Sequence, residues 1–430
     1  MDLYYSLSVL VVVTALFAFL NLRLLKLPSS IGIMLLAMIT SIGVVSTGKS
    51  YPVIHDYFKS FMGTVDFSEV LMGAMLNFLL FAGAIHISMH DLRQNRIPIL
   101  IFSTLSVIIS TVMVAGMMYF AFMSLQLSIP FIQCLVFGAL ISPTDPIAAI
   151  GILKKAGIRK SIEIKVAGES MFNDGVSVLL FTILLKLASG SEIDITFAHV
   201  SGLFIQEAGG GIGIGVLLGY IGSQAIKRIN SYNVTIMITL AIVMGGYLIT
   251  RYLHISGPLT MAAAGLVIGN YGKRTAMSHA DKDYLDKFWE LIDDILNAML
   301  FLIIGLELLL IPNLHQYWMI GCIAIGVVLV ARFFSIWLPI KFIPRIGKFD
   351  KQTITILVWG GLRGGVSVAL ALAIPEEVNK SLFLSITYYV VVFSILVQGL
   401  TVGKLVQIQR PAAKVKAKEK VNTRKVARAK

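Results

Sequence analysis

Gly168-Glu169-Ser170-Met171-Phe172-Asn173-Asp174-Gly175-Val176 places two carboxylates, a hydroxyl and an amide inside an otherwise apolar run. From Val166 to Leu185 those carboxylates are the only charges. Each acid at the centre of a membrane helix costs roughly 2.5–3.5 kcal/mol, so it is expected to face a cavity or a partner and to have a task. At helical spacing Glu169 and Asn173 are i,i+4, as are Ser170 and Asp174, which gives two adjacent polar faces on one helix. The stretch reads as an ion site.

The surroundings fit a membrane helix. The 430 residues are 57% hydrophobic and 14% charged, with a mean hydropathy of +0.85, well above soluble composition. An all-α integral membrane protein is expected. Cys134 and Cys322 both lie in apolar runs, which argues for packing and against a disulfide framework or a metal cluster. The net charge of +13 sits in short loops and a tail, without the basic domain face that nucleic-acid binding needs. Met1-Asp2-Leu3-Tyr4-Tyr5 has no basic residue before its apolar run, so the first segment is expected to remain as a span and not to be a cleaved signal.

Windows of about 20 apolar residues predict thirteen spans, near 4–22, 29–47, 68–88, 97–124, 130–153, 164–187, 201–226, 233–252, 256–271, 291–311, 316–340, 353–375 and 381–407. Alternate loops concentrate Lys and Arg, as in Lys154, Lys155, Arg159, Lys160 and Lys165, or Lys341, Arg345, Lys348 and Lys351. Loops on the opposite side carry only Lys49, Lys59, Arg251 and Lys380, with Lys186 at a helix end. The positive-inside rule then puts the N-terminus outside and the C-terminus in the cytoplasm of a multi-pass cell-membrane protein. The basic segment 411–430 is expected to be a disordered cytoplasmic tail. Ser278–Glu290 is amphipathic and is expected along the inner interface as a linker helix.

Two spans carry the marks of broken helices. In Ser142-Pro143-Thr144-Asp145-Pro146 two prolines three apart remove backbone donors, so the helix is expected to unwind. Freed carbonyls, the Thr144 hydroxyl and the Asp145 carboxylate are hard oxygen ligands suited to a small cation. In Gly360-Gly361-Leu362-Arg363-Gly364-Gly365 four glycines weaken the helix, and Arg363 can offset the negative end of a half-helix. If the last three spans repeat spans four to six in inverted orientation, both breaks fall at corresponding places, the fifth and twelfth helices. Paired breaks point to a transporter binding site. Arg332 is the lone charge between Leu308 and Ile340 and needs a carboxylate, with Glu169, Asp174 and Asp145 as candidates. The alternative is that it snorkels to the inner surface.

Four of these motifs, in order and over nearly the whole membrane domain, resemble the NhaP/NHE-type sodium/proton antiporters of the monovalent cation:proton antiporter family. They are Ser-Pro-Thr-Asp-Pro (142–146), Gly-Glu-Ser-Met-Phe-Asn-Asp-Gly (168–175), Leu-Phe-Leu-Ile-Ile-Gly-Leu-Glu (300–307) and Gly-Gly-Leu-Arg-Gly (360–364). The resemblance implies about thirteen helices in inverted repeats with two broken, crossing helices, the NhaA-like antiporter fold. It implies a homodimer whose transmembrane domain, 1–410, comprises a dimerisation part and a mobile six-helix core from about 97–187 and 316–407. By motif, Asp174 becomes the principal ligand of cation and proton, joined by Asp145, the Thr144 backbone and Ser170. Glu169 pairs with Arg332 as a structural ion pair. Asn173 stands where electrogenic relatives have a second aspartate, which points to electroneutral, one-for-one exchange. One departure is Phe81-Ala82-Gly83-Ala84, which offers no acid where some relatives supply one from the third helix.

The implied function is exchange of cytoplasmic Na⁺ or Li⁺ for external H⁺, with neither cofactor nor covalent chemistry. An aspartate with an ordinary pKa near 3.9 does not exchange protons near neutrality, but desolvation can raise a carboxyl by up to about 3–5 units. If the carrier reorients only when Asp174 holds a proton or a cation, obligatory exchange follows. K⁺/H⁺ exchange is the alternative on the same fold. A cation channel would need repeated filter residues, and an intramembrane aspartyl hydrolase a Gly-x-Gly-Asp-like motif that the chain lacks. The histidines (His55, His86, His90, His199, His254, His279, His315) are expected mainly at helix ends and loops, and Glu307 as an interfacial charge. Gly209–Gly215 is expected to serve close helix packing.

Overall fold

A computed structural model describes residues 3–47, 70–145, 158, 160–190, 197–229, 231–309, 311, 314–346, 349–406 and 408, and every described regular element is helical. Expectations for Pro146, for the second half of the 130–153 span, for the 411–430 tail and for His55 lie outside these residues, as do the side chains of His199 and His279.

In chain order the helices are α1 (Leu3–Leu20), α2 (Ser29–Thr47), α3 (Leu76–Ile85), α4 (Met89–Gln94), α5 (Arg96–Ser103), α6 (Leu105–Ser124) and α7 (Phe131–Ile141). They continue with α8 (Lys160–Ala188), α9 (Phe197–Ile226), α10 (Tyr232–Leu253), α11 (Gly257–Val267), α12 (Lys273–Ala276) and α13 (His279–Leu306). The last are α14 (Trp318–Phe342), α15 (Lys351–Trp359), α16 (Gly365–Leu372) and α17 (Lys380–Phe393).

Eight helical segments among the described residues are long and apolar enough to cross a membrane, and each coincides with an expected span. The other five expected spans hold helices that are short, broken or acidic. For example, α3 and α7 have only 10 and 11 residues. Buried apolar residues form two clusters. The larger joins α1, α2 and α5–α8 to the second half of α13 and to α14–α17, and the smaller lies among α3, α9–α11 and the first half of α13.

Part of the glycine stretch serves close packing: Gly210, Gly211 and Gly215 have near neighbours, whereas Gly209 and Gly213 face open space. On α9, Gly211 and Gly215 lie against α11 so tightly that a Cβ would meet Ser256 O at 2.7 Å and Thr260 O at 2.3 Å. Thr260 Oγ1 donates to Gly211 O at 2.9 Å across the same contact.

Ser278–Glu290 is not a separate interfacial helix. It is the first half of α13, which runs unbroken for 28 residues, about 42 Å at 1.5 Å per residue. A capping box starts it: Ser278 Oγ accepts from Asp281 N at 3.2 Å, and Asp281 Oδ2 accepts from Ser278 N at 3.3 Å. No Gly or Pro follows until Gly305. Trp289 is fully buried, with Nε1 donating to Thr239 Oγ1 at 3.1 Å. Its burial explains why the segment stays inside the bundle. Cys134 is buried as expected, whereas Cys322 is exposed on α14.

Candidate functional site

The two irregular stretches meet. After α7, residues 142–145 leave the helix, and after α15 residues 360–364 do the same before α16 resumes. Asp145 N donates to Leu362 O at 2.7 Å, joining one break to the other. The loosened backbone finds other partners, as buried amides must. Arg363 N donates to Ser394 Oγ at 2.8 Å, and Ser394 Oγ donates to Gln398 Oε1 at 2.7 Å. Gln398 Nε2 donates to Trp359 O at 3.2 Å.

Each half-helix that ends at this crossing presents carbonyls to a guanidinium. Arg363 Nη1 donates to Pro143 O at 2.9 Å and also to Ser142 O, at the carbonyl end of α7. Arg332 Nη2 donates to Leu357 O at 3.0 Å, in the last turn of α15. Both sites put positive charge where the helix dipole is negative. Conversely, Asp145 approaches the N-terminus of α16. Gly364 caps that helix, and a Cβ there would lie 2.1 Å from Asp145 Oδ2. Only glycine leaves room for the carboxylate at the helix's positive end.

Arg332 selects Glu169 from its three candidates, with Nη1 and Oε1 2.6 Å apart and both side chains buried. It does not snorkel. Gly361 allows this position, because a Cβ there would meet Arg332 Nε at 2.5 Å.

On α8, Ser170, Asn173 and Asp174 face the break at Thr144. Asn173 Nδ2 donates to Thr144 Oγ1 at 2.8 Å, and Thr144 Oγ1 and Ser170 Oγ are 3.0 Å apart. Asn173 Oδ1 and Asp174 Oδ1 are buried and have no hydrogen-bond partner within the described protein. Asp174 and Asp145 line one cavity of about 940 Å³, with Pro143, Met171, Gly364 and Ser367 also in its wall. Ala82 and Gly83 of α3 line it too and contribute no acid. The arrangement is thus a set of hard oxygen donors around two carboxylates, with hydrogen bonds holding the hydroxyls and the amide in place. It suits reversible occupancy by a small cation or a proton.

Three features escaped the sequence reading. Glu307 is not interfacial: it is 1% exposed, and neither carboxylate oxygen has a partner within the described protein. It sits in a short 3₁₀ turn that follows α13 and packs against α2. Asp293 and Asn297 also line the cavity. Their i,i+4 spacing was visible, but the reading that cut α13 near residue 290 hid its continuity with the charged half. At the C-terminal end of α3, His86 Nδ1 lies 3.2 Å from Asp286 Oδ1, and Lys273 Nζ also pairs with Asp286. Burial pushes the Asp286 carboxyl up, but the hydrogen bonds from His86 and Lys273 outweigh it and hold the group below the usual carboxylate range.

Residues 10–408 match the family described as "Sodium/hydrogen exchanger, transmembrane". The chain is 45% identical over 402 residues to the Na⁺/H⁺ antiporter NhaP of Pseudomonas aeruginosa, covering 92% of this chain and 95% of that protein. It is 30% identical over 389 residues to the Na⁺/H⁺ antiporter NhaH of Halobacillus dabanensis, covering 90% and 93%. Among solved structures, the sodium proton antiporter MjNhaP1 from Methanocaldococcus jannaschii at pH 8 superposes with a TM-score of 0.75 at 21% identity, covering 94% of this chain and 99% of that one. That likeness concerns the fold.

Proposed function

The chain belongs to the sodium/hydrogen exchanger family, and from that membership we infer that it is a secondary-active Na⁺/H⁺ antiporter spanning the membrane many times. The observation that carries the site assignment is the partner-poor carboxylate of Asp174 at the meeting point of two broken helices. K⁺/H⁺ exchange is not favoured, since the relatives at 45% and 30% identity are both Na⁺/H⁺ antiporters.

In the mechanism we propose, Na⁺ or Li⁺ and H⁺ compete for Asp174. Asp145, the Thr144 backbone and Ser170 complete the cation's oxygen shell, together with water on the wall where α3 supplies no acid. A bare carboxylate at this depth is strongly disfavoured, whereas one carrying a proton or a cation is not. Reorientation is therefore open only to the loaded carrier, and coupling follows without a covalent step. Asn173 orders the hydroxyls through its amide and adds no charge, in keeping with one-for-one, electroneutral exchange. Glu169, Arg332 and Arg363 hold the broken helices in register. The reading includes a homodimer, a six-helix core from about 97–187 and 316–407 that moves against the rest of 1–410, an external N-terminus and a cytoplasmic C-terminus. Na⁺ leaves the cytoplasm in exchange for external protons.

The test is internal-pH fluorescence in proteoliposomes holding only this protein, with Na⁺, Li⁺ and K⁺ gradients imposed in turn at clamped voltage. Na⁺ and Li⁺ should drive a pH change, K⁺ should not, and Asp174→Asn should abolish the response. A K⁺-driven response of equal size would overturn the selectivity, and an active Asp174→Asn protein would overturn the site.

A further inference from the structure

Asp293 and Asn297 lie one turn apart on the same face of α13, and both line the cavity that holds Asp174 and Asp145. The Asn297 side chain is 3% exposed. Its Nδ2 donates to Asp293 O at 2.7 Å. Because a carbonyl only accepts, that bond fixes the amide's orientation and leaves Oδ1 as the free end. Asn297 Oδ1 and Asp293 Oδ1 are both buried, and neither has a hydrogen-bond partner within the described protein. Two acceptor oxygens without a donor, one of them on a carboxylate, call for an electropositive ligand. The same face turns apolar beyond Asn297, toward Leu300 and Phe301, so the pair stands where the acidic half of the helix gives way to the core.

We propose that Asp293 and Asn297 form a second monovalent-cation site in the cavity, where Na⁺ exchanges part of its water for the carboxylate and amide oxygens before it reaches Asp174. The site holds one carboxylate against the two near the crossing, so it binds more weakly and releases its ion onward. One buried carboxylate oxygen with an amide carbonyl and water suits a singly charged ion, the neighbouring Glu290 and Asp294 of the same wall being exposed. The inference rests on Na⁺ being the exchanged ion, and its test is arranged so that the two stand or fall separately.

The first measurement is the dependence of exchange on Na⁺ in proteoliposomes. Asp293→Asn should raise the apparent KM for Na⁺ about tenfold while the maximal rate falls by less than half. Asn297→Leu should do the same more weakly, and Asn297→Asp, which keeps an oxygen and adds charge, should not raise it. The second measurement needs no transport. In purified Asp174→Asn protein, NaCl should still raise the melting temperature relative to choline chloride at equal ionic strength, through ligand linkage. That increment should vanish in the Asp174→Asn, Asp293→Asn double variant. An unchanged KM in both Asp293→Asn and Asn297→Leu, or a Na⁺ increment that survives the double variant, would overturn the second site and mean that ordered water alone satisfies these oxygens. Neither of those results touches the Asp174 assignment, which fails only if Asp174→Asn still exchanges.

Discussion

Glu169 and Asp174 sit five residues apart on α8, both buried, and they are treated in opposite ways. Glu169 has a guanidinium 2.6 Å away, and that guanidinium is anchored in turn on the Leu357 carbonyl. Asp174 keeps an oxygen with no partner in the described protein, in the wall of a cavity. Burial alone therefore does not distinguish the two acids; what distinguishes them is a resident partner. The pair ties α8 to α14 and α15, whereas the Asp174 carboxylate, five residues further along, faces a cavity.

The comparison breaks most sharply at Asp174 itself. Asp174→Asn should lose all cation-driven pH change while keeping the wild-type melting temperature, because the amide removes the charge and preserves the shape. Arg332→Ala should have the next largest effect, on stability. It strands Glu169 as a buried acid without its guanidinium, at roughly 3–5 kcal/mol for a broken buried pair. Melting of the Arg332→Ala, Glu169→Gln double variant should recover a large part of that loss, and failure to recover any would show that the guanidinium acts mainly through Leu357 O.

Smaller effects sharpen the contrast. Gly364→Ala would drive a Cβ into Asp145 Oδ2, 2.1 Å away in the present geometry. Exchange should fall about tenfold, equivalent to about 1.4 kcal/mol, with folding retained. Gly83→Ala, in the same cavity wall with open space at its Cβ, is the control and should fall far less. Asn173→Asp replaces the donor to Thr144 with an acceptor and adds a charge beside Asp174. Its rate should drop roughly threefold, in line with a lost hydrogen bond of about 0.5–1.5 kcal/mol, and should acquire a dependence on membrane potential. Voltage-independent exchange by that variant would remove residue 173 as the determinant of charge balance.

The smallest effect belongs to Asp286, an acid that is paired but half-exposed. Its folded-state pKa is depressed, so its contribution is present above the unfolded value near 3.8 and is lost as pH falls through the folded one. Asp286→Asn should therefore lower stability at pH 7 by at most about 1 kcal/mol, since solvent screens such pairs. The melting temperatures of wild type and variant should converge as pH drops below about 4.

How much of this was legible follows from where the signals lie. Breaks show in sequence because Pro143 and the 360–365 glycines act locally on the backbone, so both crossing segments could be placed from composition. The need of Arg332 for an acid was equally plain, since a guanidinium in an apolar run has few options. Its choice among three acids is a three-dimensional fact that depends on Gly361 admitting the side chain. Glu307 and α13 were misread for a shared reason. A charge near the end of an apolar run, or an amphipathic segment before one, looks solvent-facing unless the neighbouring helices are known to cover it. Trp289 and Asn297 are buried by α10 and the cavity wall, and no neighbour in sequence announces either.

The bond from Arg363 to the Pro143 carbonyl joins residues 220 apart in the chain. During synthesis at about 5–20 residues per second, the first broken helix therefore waits on the order of ten to forty seconds before its counter-charge is made. Through that interval the Ser142 and Pro143 carbonyls lack the guanidinium that they accept from in the finished chain. A chain truncated before residue 363 leaves the Ser142 and Pro143 carbonyls without that donor. The segment around Arg363 is in this sense a late clasp on a helix made much earlier.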